Sequence, residues 1–462
     1  MDGESVGLEA GLEAARRVAR TLREAGFAAY FAGGCVRDLL LGVEAKDFDV
    51  ATSARPEEIT DLFARTLAVG AHFGVILVLL EVEGEWITTE VATFRHDGAY
   101  TDGRRPDAVR FSNDPHEDVM RRDFTINGML LDPFAEDAGE AVLDFVGGRK
   151  DLTERCVRTI GEPRERFAED KLRMLRAVRF AARLGFEIEE RTGEAINQFA
   201  GEIVQVSQER IREEVTRMLT EGRARRAFEM MHERGLLKEI LPEVSRLRGV
   251  EQPPQYHPEG DVWVHTMLLL DHLPAGASVT LAWGMLLHDV GKPATYQPAN
   301  PERPGDRIRF NGHVEVGMRI AEEILERLRF SNEETAQIVA LIRHHMQFGD
   351  LRQMKQSTLK RFVRLPRFEE HLALHRADCM SAHGDLRLYE FAKEAYERDE
   401  PVEARMPLLV TGNDLIALGF RPGPKFKEML VVSEDAQLEG VIATKEEGVE
   451  LIRERFCDGF GV

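Results

Sequence analysis

The stretch AAYFAGGCVRDLLLGVEAKDFDVAT, residues 28–52, decides the fold. AAYFAG reads as a strand, Gly33-Gly34 as a turn, CVRDLLLG as a short helix ending at Gly42, and DFDVAT as a second strand. Backbone N–H groups at a strand–glycine–helix turn, with the positive end of the helix, can hold phosphate. Arg37 lies three residues beyond Gly34, within reach of a triphosphate. Taken alone, such a turn is only a turn. Asp47 and Asp49 add to it. Two apart on the predicted strand, they point to one face, while Phe48 points the other way into a core. Side-by-side carboxylates repel and are expensive to bury unpaired. A divalent cation removes that repulsion, and Mg2+ takes one or two carboxylates together with substrate phosphates. The pair therefore predicts a Mg2+ site, with two exposed strand-end aspartates as the plain alternative. Glu90, in WITTEVATF on a neighbouring predicted strand, is the candidate third carboxylate; a cross-strand arginine partner is its alternative role.

Around this stretch, residues 1–26 have the spacing of an amphipathic helix, and RPEEITDLF that of a helix opened by Pro56. HFGVILVLLEV and WITTEVATF, separated by EGE, predict a hairpin. YTDGRRPDAVRFSNDP (100–115) reads as a loop. From about residue 151 the pattern is almost wholly helical. The Pro-rich segments QPPQYHPEG (252–260) and EPVEARMP (400–407) mark boundaries, and QPANPERPGD (297–306) is a long polar loop. The expected fold is thus α+β: a small mixed-sheet head over 1–150, then helical segments over 151–250, 251–400 and 401–462.

With 462 residues, 43% of them hydrophobic, the chain can bury several cores, and disorder is not expected. No secretory signal and no run of about 18 apolar residues is visible, so neither export nor a membrane span is expected. Four widely spaced cysteines exclude a disulfide scaffold and a cysteine zinc ribbon, and they fit a reducing cytoplasm. The net charge of −20 argues against a nucleic-acid binder when taken as a sum. Its distribution argues otherwise. Arg149–Arg183 holds 11 Lys/Arg against 6 Asp/Glu, and Arg343–Arg367 holds 7 against 1. Two basic patches on an acidic body can make a polyanion track, although solvated helix faces would look the same.

GGCVRDLLLG followed by DFD resembles the active-site motif of the class II nucleotidyltransferases of the polymerase-beta superfamily: the bacterial CCA-adding tRNA nucleotidyltransferases and poly(A) polymerases. The resemblance continues in order over about 1–220. FRHDGAYTDGRRP is similar to the family's flexible loop, and RRDFTINGM (121–129) to its ribose-binding segment, with Gly128 where Ala is usual. DFVGGRKDL (144–152) is similar to the link to the neck, and EDKLRMLRAVRF (169–180) to the nucleobase-reading helix. The resemblance implies tRNA, CTP and ATP as partners, and Asp47 and Asp49 as the catalytic carboxylates, to which Glu90 is the candidate third. It also implies that Arg122, Asp170, Arg173, Arg176 and Arg179 join Gly34 and Arg37 of the glycine turn in a nucleotide site, with Arg210 and Arg212 structural.

Asp170 and Arg173 are expected i,i+3 on one helix face. The carboxylate accepts from the exocyclic amine of C or A, and the guanidinium donates to the adjacent ring nitrogen. U and G present the opposite pattern and leave both groups unpaired, which can supply discrimination on the order of 10⁴. An ordinary intrahelical Asp–Arg pair beside a solvated arginine stripe is the alternative.

In the helical block, VWVHTML, LLHDVGKPAT and LHRADCM supply His265, His288, Asp289 and Asp378 in the order of the HD phosphohydrolase superfamily, which they resemble. GHVEVG adds His313, and LIRHHMQ adds His344 and His345. Imidazoles and carboxylates suit a transition metal, whose bound water can attack a phosphoester. An inherited scaffold without turnover is the alternative. The expectation for the whole chain is template-independent CCA addition to tRNA with Mg2+. Its rivals are a poly(A) polymerase, a CC-only or A-only enzyme, an HD-type phosphohydrolase with a nucleotide-sensing head, and a non-enzymatic RNA scaffold.

Overall fold

A computed structural model describes residues 3–45, 47–70, 74–98, 109–135, 141–399 and 407–456. The chain divides into two compact units, Met1–Ser245 with Arg327–Arg329, and Arg246–Glu326 with Phe330–Val462.

The first unit opens with the helix Gly3–Glu24, whose buried Ala14, Ala15, Val18 and Leu22 recur at helical spacing. The strands of this unit are β1 (Ala29–Ala32), β2 (Asp49–Thr52), β3 (Thr66–Gly70), β4 (Val75–Val82), β5 (Glu85–Thr93), β6 (Arg95–Asp97), β7 (Val109–Phe111), β8 (Met129–Leu131) and β9 (Val142–Asp144). Seven of them form one mixed sheet in the order β3-β4-β5-β2-β1-β8-β9. β2 runs parallel to β5, Val50 opposite Val91, while β1–β2 and β4–β5 are antiparallel. The expected hairpin is β4–β5, turned through Glu83 and Gly84, both at positive φ.

Three details depart from the sequence reading. β2 begins at Asp49, so Asp47 lies before the strand and not on it. The reason is the end of the pairing: Ala32 opposite Asp49 is the last register pair, and Gly33 turns the backbone of the neighbouring strand away at φ 75°. Phe48 does point into the core, packing on Phe31 at 5.6 Å between ring centroids. Val109–Phe111, expected in a loop, pairs with β6 in a two-stranded ribbon. Asp114 then caps the helix Pro115–Met120. Most of FRHDGAYTDGRRP, residues 99–106, lies outside the described residues.

The remainder of the first unit is helical apart from the two-residue parallel pair Cys156–Val157 and Glu187–Ile188. Here the third departure occurs. Asp170 is not helical: it ends the helix Pro163–Glu169 with φ −145° and ψ 107°, and the helix Leu172–Leu184 starts after it. Its carboxylate accepts the Leu172 N–H at 3.0 Å, the capping geometry that Asp favours over a helix interior.

The second unit is helical. Val262–Asp271, Val279–Leu287, His313–Arg327, Asn332–His344 and Phe368–Ser381 surround a cluster of histidines and aspartates. Gly291 permits a close crossing: a Cβ there would lie 2.1 Å from the His313 carbonyl and 2.6 Å from the Gly317 nitrogen. In the tail, Thr411 and Asp414 form the capping box of Gly412–Ala417. Among the described residues no helix is long and apolar enough to cross a membrane.

Candidate active site and metal centre

The polar site of the first unit forms where the Gly33 turn, the start of β2 and the end of β5 meet. Because β2 and β5 are parallel in register, Asp49 and Glu90 occupy the neighbouring position just before the Val50–Val91 pair. Asp47 joins them from the segment that leads into β2. Burial, then the charges of Glu90 and Asp47, push the Asp49 carboxyl up to about 6. Burial and Asp47 also raise Glu90, against the pull of Arg122. The three predicted carboxylates therefore share one electrostatic environment, and the repulsion that would recruit a divalent cation is present. Burial and the Asp49 charge push the neighbouring Cys35 thiol up to about 11, so thiolate chemistry has no place here.

Arg122 is the cation of this site. Its Nη2 pairs with Asp118 at 2.9 Å, while its Nη1 lies over Gly33, 3.4 Å from where a Cβ would stand. The same absent Cβ would lie 4.0 Å from Asp49 Oδ2. Gly33, Asp49 and Arg122 thus enclose one small space. Asp118, which accepts from both Arg121 and Arg122, holds that guanidinium.

Arg37 is placed differently from its prediction. Its guanidinium is 2% exposed, pairs with Asp38 at 2.7 Å and donates to Asn127 Oδ1 at 2.7 Å. A buried, doubly engaged guanidinium braces the turn from beneath instead of reaching outward.

The arginine face of Leu172–Leu184 is likewise tied down. Arg176 donates twice to Asp123, at 2.9 and 2.7 Å. Against the burial of Asp123, that guanidinium holds its carboxyl down at about 2. Arg179 bonds Glu214 at 2.7 Å and Glu221 at 3.1 Å. Asp170 and Arg173 do not pair with each other. Arg210 donates to both Asp170 oxygens, at 3.3 and 2.8 Å. Arg173 Nη1 donates to Glu169 at 2.6 Å, and its Nη2 reaches the Arg121 carbonyl only at 3.4 Å. Arg166 donates to the carbonyls of Arg121 at 2.6 Å and Arg122 at 2.7 Å. Arg166, Asp118 and Glu214 were missed in the sequence; only their regular place among other charged residues could have marked them. Gly128 is required locally, because a Cβ would meet Ile160 Cδ1 at 2.7 Å and Val146 Cγ2 at 2.9 Å.

In the second unit, His265 Nε2 lies 3.1 Å from Asp378 Oδ1, and His288 Nε2 lies 3.2 Å from Asp289 Oδ2. His265, His288 and Asp378 offer ligand atoms within 4.8 Å of one another. The buried His288 Nε2 and Asp289 Oδ1 find no hydrogen-bond partner. Convergent unpartnered acceptors fit a cation. Burial disfavours charge on His265, but the carboxylates of Asp378 and Glu259, which accept hydrogen bonds from its ring, outweigh it and raise its pKa to about 9. Glu259, in the segment read as a boundary, accepts from His265 Nδ1 at 2.7 Å. Lys292, in GKPAT, pairs with Asp289 at 2.7 Å. His344 turns away to Gln347.

A mixed sheet carrying a glycine turn and clustered carboxylates, followed by a helical arm rich in arginine, defines a polymerase-type nucleotidyltransferase. Family models agree: the Poly A polymerase head domain matches residues 29–158, the RNA and SrmB-binding site of polymerase A 185–247, and tRNA nucleotidyltransferase domain 2 313–451. The CCA-adding enzyme of Geobacillus sp. (strain WCH70) is 30% identical over 438 residues, 94% of each chain. That of Enterococcus faecalis (strain ATCC 700802 / V583) is 47% identical over 202 residues, 44% of this chain and 48% of the relative. The crystal structure of the Bacillus stearothermophilus CCA-adding enzyme in complex with CTP matches with a TM-score of 0.72 at 26% identity, covering 98% of both chains. The chain belongs to the CCA-adding enzyme family.

Proposed function

We infer that this protein adds CCA to the 3′ end of tRNA from CTP and ATP, with release of pyrophosphate and without a nucleic-acid template. One observation carries the reading. Arg122, which faces Gly33 and Asp49 through its side chain, is held through its backbone carbonyl by Arg166, and the adjoining Arg121 carbonyl by Arg166 and Arg173. Arg121-Arg122 therefore connects the space beside Gly33 and Asp49 to the segment that bears Asp170 and Arg173, which supports reading the two as parts of one nucleotide site.

Asp47 and Asp49, with Glu90 beside them, would hold Mg2+. Held there, it would supply activation of the primer hydroxyl and neutralisation of the charge on the leaving pyrophosphate. Arg122 and the N–H groups at Gly33-Gly34 orient the phosphates, while Arg37 keeps the turn in place. Asp170 accepts from the exocyclic amine. Each of its oxygens can accept two bonds, so Arg210 and the Leu172 N–H leave capacity for the base. Arg173 donates to the ring nitrogen through the Nη2 that is only loosely bound at 3.4 Å. Arg176 and Arg179 fix the helix by their acidic partners. Electrostatic positioning supplies most of the rate, as in phosphoryl transfer generally.

We assign 1–150 to the head, 151–250 to the neck and body, 251–400 to an HD-type domain and 401–462 to the tail. The His265, His288, Asp289 and Asp378 set would hold a transition metal, and the reducing cysteine pattern supports a cytoplasmic setting. Incubation with tRNA transcripts ending before CCA, after C or after CC, with labelled CTP and ATP, tests the reading. Completion to CCA from all three supports it, and addition confined to one of them overturns it.

A further inference from the structure

The arginines of the Leu172–Leu184 helix belong to a closed circuit of ion pairs. Arg176, Arg179, Phe180 and Arg183 fall at i, i+3, i+4 and i+7, so they share one helix face. Arg176 binds Asp123 at 2.7 Å and lies 3.6 Å from Glu214. Arg179 binds Glu214 at 2.7 Å and Glu221 at 3.1 Å. Arg183 lies 3.7 Å from Glu221 and 3.9 Å from Asp38. Asp38 binds Arg37 at 2.7 Å, and Arg37 donates to Asn127 Oδ1 at 2.7 Å. The Asn127 amide donates back to Asp123 Oδ1 at 3.2 Å, which closes the circuit. Cations and carboxylates alternate around it, with Asn127 as the neutral link. The buried Phe180 ring lies 4.3 Å from the Arg179 guanidinium and 5.4 Å from those of Arg37 and Arg176, and it packs edge-on against the buried Phe124.

The circuit touches each part of the nucleotide site. Arg37 Nη2 lies 3.5 Å from where a Cβ on Gly34 would stand, so it underlies the glycine turn. Asp123 and Asn127 belong to RRDFTINGM. The helix carries Arg173 in its first turn, with Asp170 just ahead of it. A nucleotide has a fixed length between phosphate and base, so the turn and the helix must keep one spacing. A displacement of about 1 Å can cost about 10²-fold in rate. Buried ion networks add little net stability over apolar packing, but each member fixes the direction of its two neighbours.

Arg183 is the loosest member. Both of its contacts are longer than a hydrogen bond, and its side chain is 30% exposed. Without it the circuit opens between the helix and Asp38, while Asp38 keeps Arg37 and Glu221 keeps Arg179. It stands ten residues beyond Arg173, about 15 Å along the helix axis, so it lies far from the base-reading groups.

We propose that Arg183 is a positioning residue for nucleotide addition. By closing the circuit between Glu221 and Asp38, it holds the base-reading helix in register with the glycine turn. The proposal rests on the reading of turn and helix as one nucleotide site, and adds the residue that sets their spacing.

The test uses the full chain and tRNA transcripts lacking CCA, with steady-state addition of CTP and of UTP and a melting curve for each protein. Arg183→Met keeps the length of the side chain and removes its charge. It should lower kcat for CTP addition by about 10-fold, change KM less, and erode the preference for CTP over UTP. Its melting midpoint should not move, because long, partly exposed ion pairs carry little stability. Arg183→Lys should recover most of the rate. Glu221→Gln should slow addition in the same way, and the double variant Arg183→Met/Glu221→Gln should be no slower than the slower single variant. Unchanged kcat and selectivity in Arg183→Met, beside a parent that extends the transcript, overturn the positioning role alone. A rate that falls in step with the melting midpoint, or that lysine does not recover, also overturns it. A parent that leaves the transcript unextended overturns the nucleotidyltransferase reading and this role with it.

Discussion

Replacing Asp49 by Asn separates the cost of the acidic cluster from its use. Asp49 ionises at about 6 instead of 3.8, through burial first and the charges of Glu90 and Asp47 second. At about 1.4 kcal/mol per pH unit, the ionised carboxylate costs the metal-free fold up to about 3 kcal/mol near pH 8. The sign follows from proton binding. Between pH 3.8 and about 6 the folded state holds the proton more tightly than the unfolded one, so stability falls as pH rises through that window. Asparagine carries no such penalty. In chelator at pH 8, Asp49→Asn should therefore unfold at a higher temperature than the parent, and the advantage should shrink toward zero by pH 4. Adding Mg2+ should stabilise the parent and leave the variant unmoved, while nucleotide incorporation by the variant is abolished. Scanning calorimetry of both proteins at the two pH values, with and without Mg2+, reads each term. A pH-independent difference, or equal stabilisation of both proteins by Mg2+, would refute the reasoning.

Asp170→Ala should raise UTP incorporation relative to CTP by about 10²-fold or more, because the acceptor for the exocyclic amine is gone; unchanged selectivity in single-turnover assays contradicts the base-reading role. Arg37→Ala should destabilise the first unit by about 3 kcal/mol, since the buried Asp38 loses its close partner and keeps only Arg183, at 3.9 Å. A thermal shift near zero would show that Arg37 is not the brace described. Gly128→Ala should cost about 1–3 kcal/mol through its collision with Ile160, and Ile160→Val in the same chain should recover part of the loss. Additive losses in the double variant would place the strain elsewhere.

Local pattern made much of the head legible. The alternation through Phe48, the β4–β5 hairpin and the glycine turn depend on neighbours in sequence, and each stands as the residues indicated. What escaped depends on partners far along the chain. Asp47 falls off the strand because β1 ends its pairing at Ala32. Arg37 is buried because Asn127, ninety positions away, accepts from it. Asp170 leaves the helix because its carboxylate caps Leu172 and faces Arg210. In the second unit, the order of His265, His288, Asp289 and Asp378 pointed to their cluster. His313 and His345 were visible as residues, but the approach of His313 to Asp289 follows the Gly291–Gly317 crossing, which no spacing encodes. Glu259 was hidden in a proline-rich stretch whose composition reads as a linker.

Template-independent CCA addition requires one bound nucleotide to reach both the acidic cluster and the base-reading groups Asp170 and Arg173. Extension of a tRNA transcript lacking its 3′ CCA, resolved at single-nucleotide length on a gel, addresses this directly. With CTP and ATP together the product should lengthen by three nucleotides and stop, and with UTP or GTP alone it should not lengthen. An open-ended ladder with ATP alone, or equal extension with all four nucleotides, would contradict it.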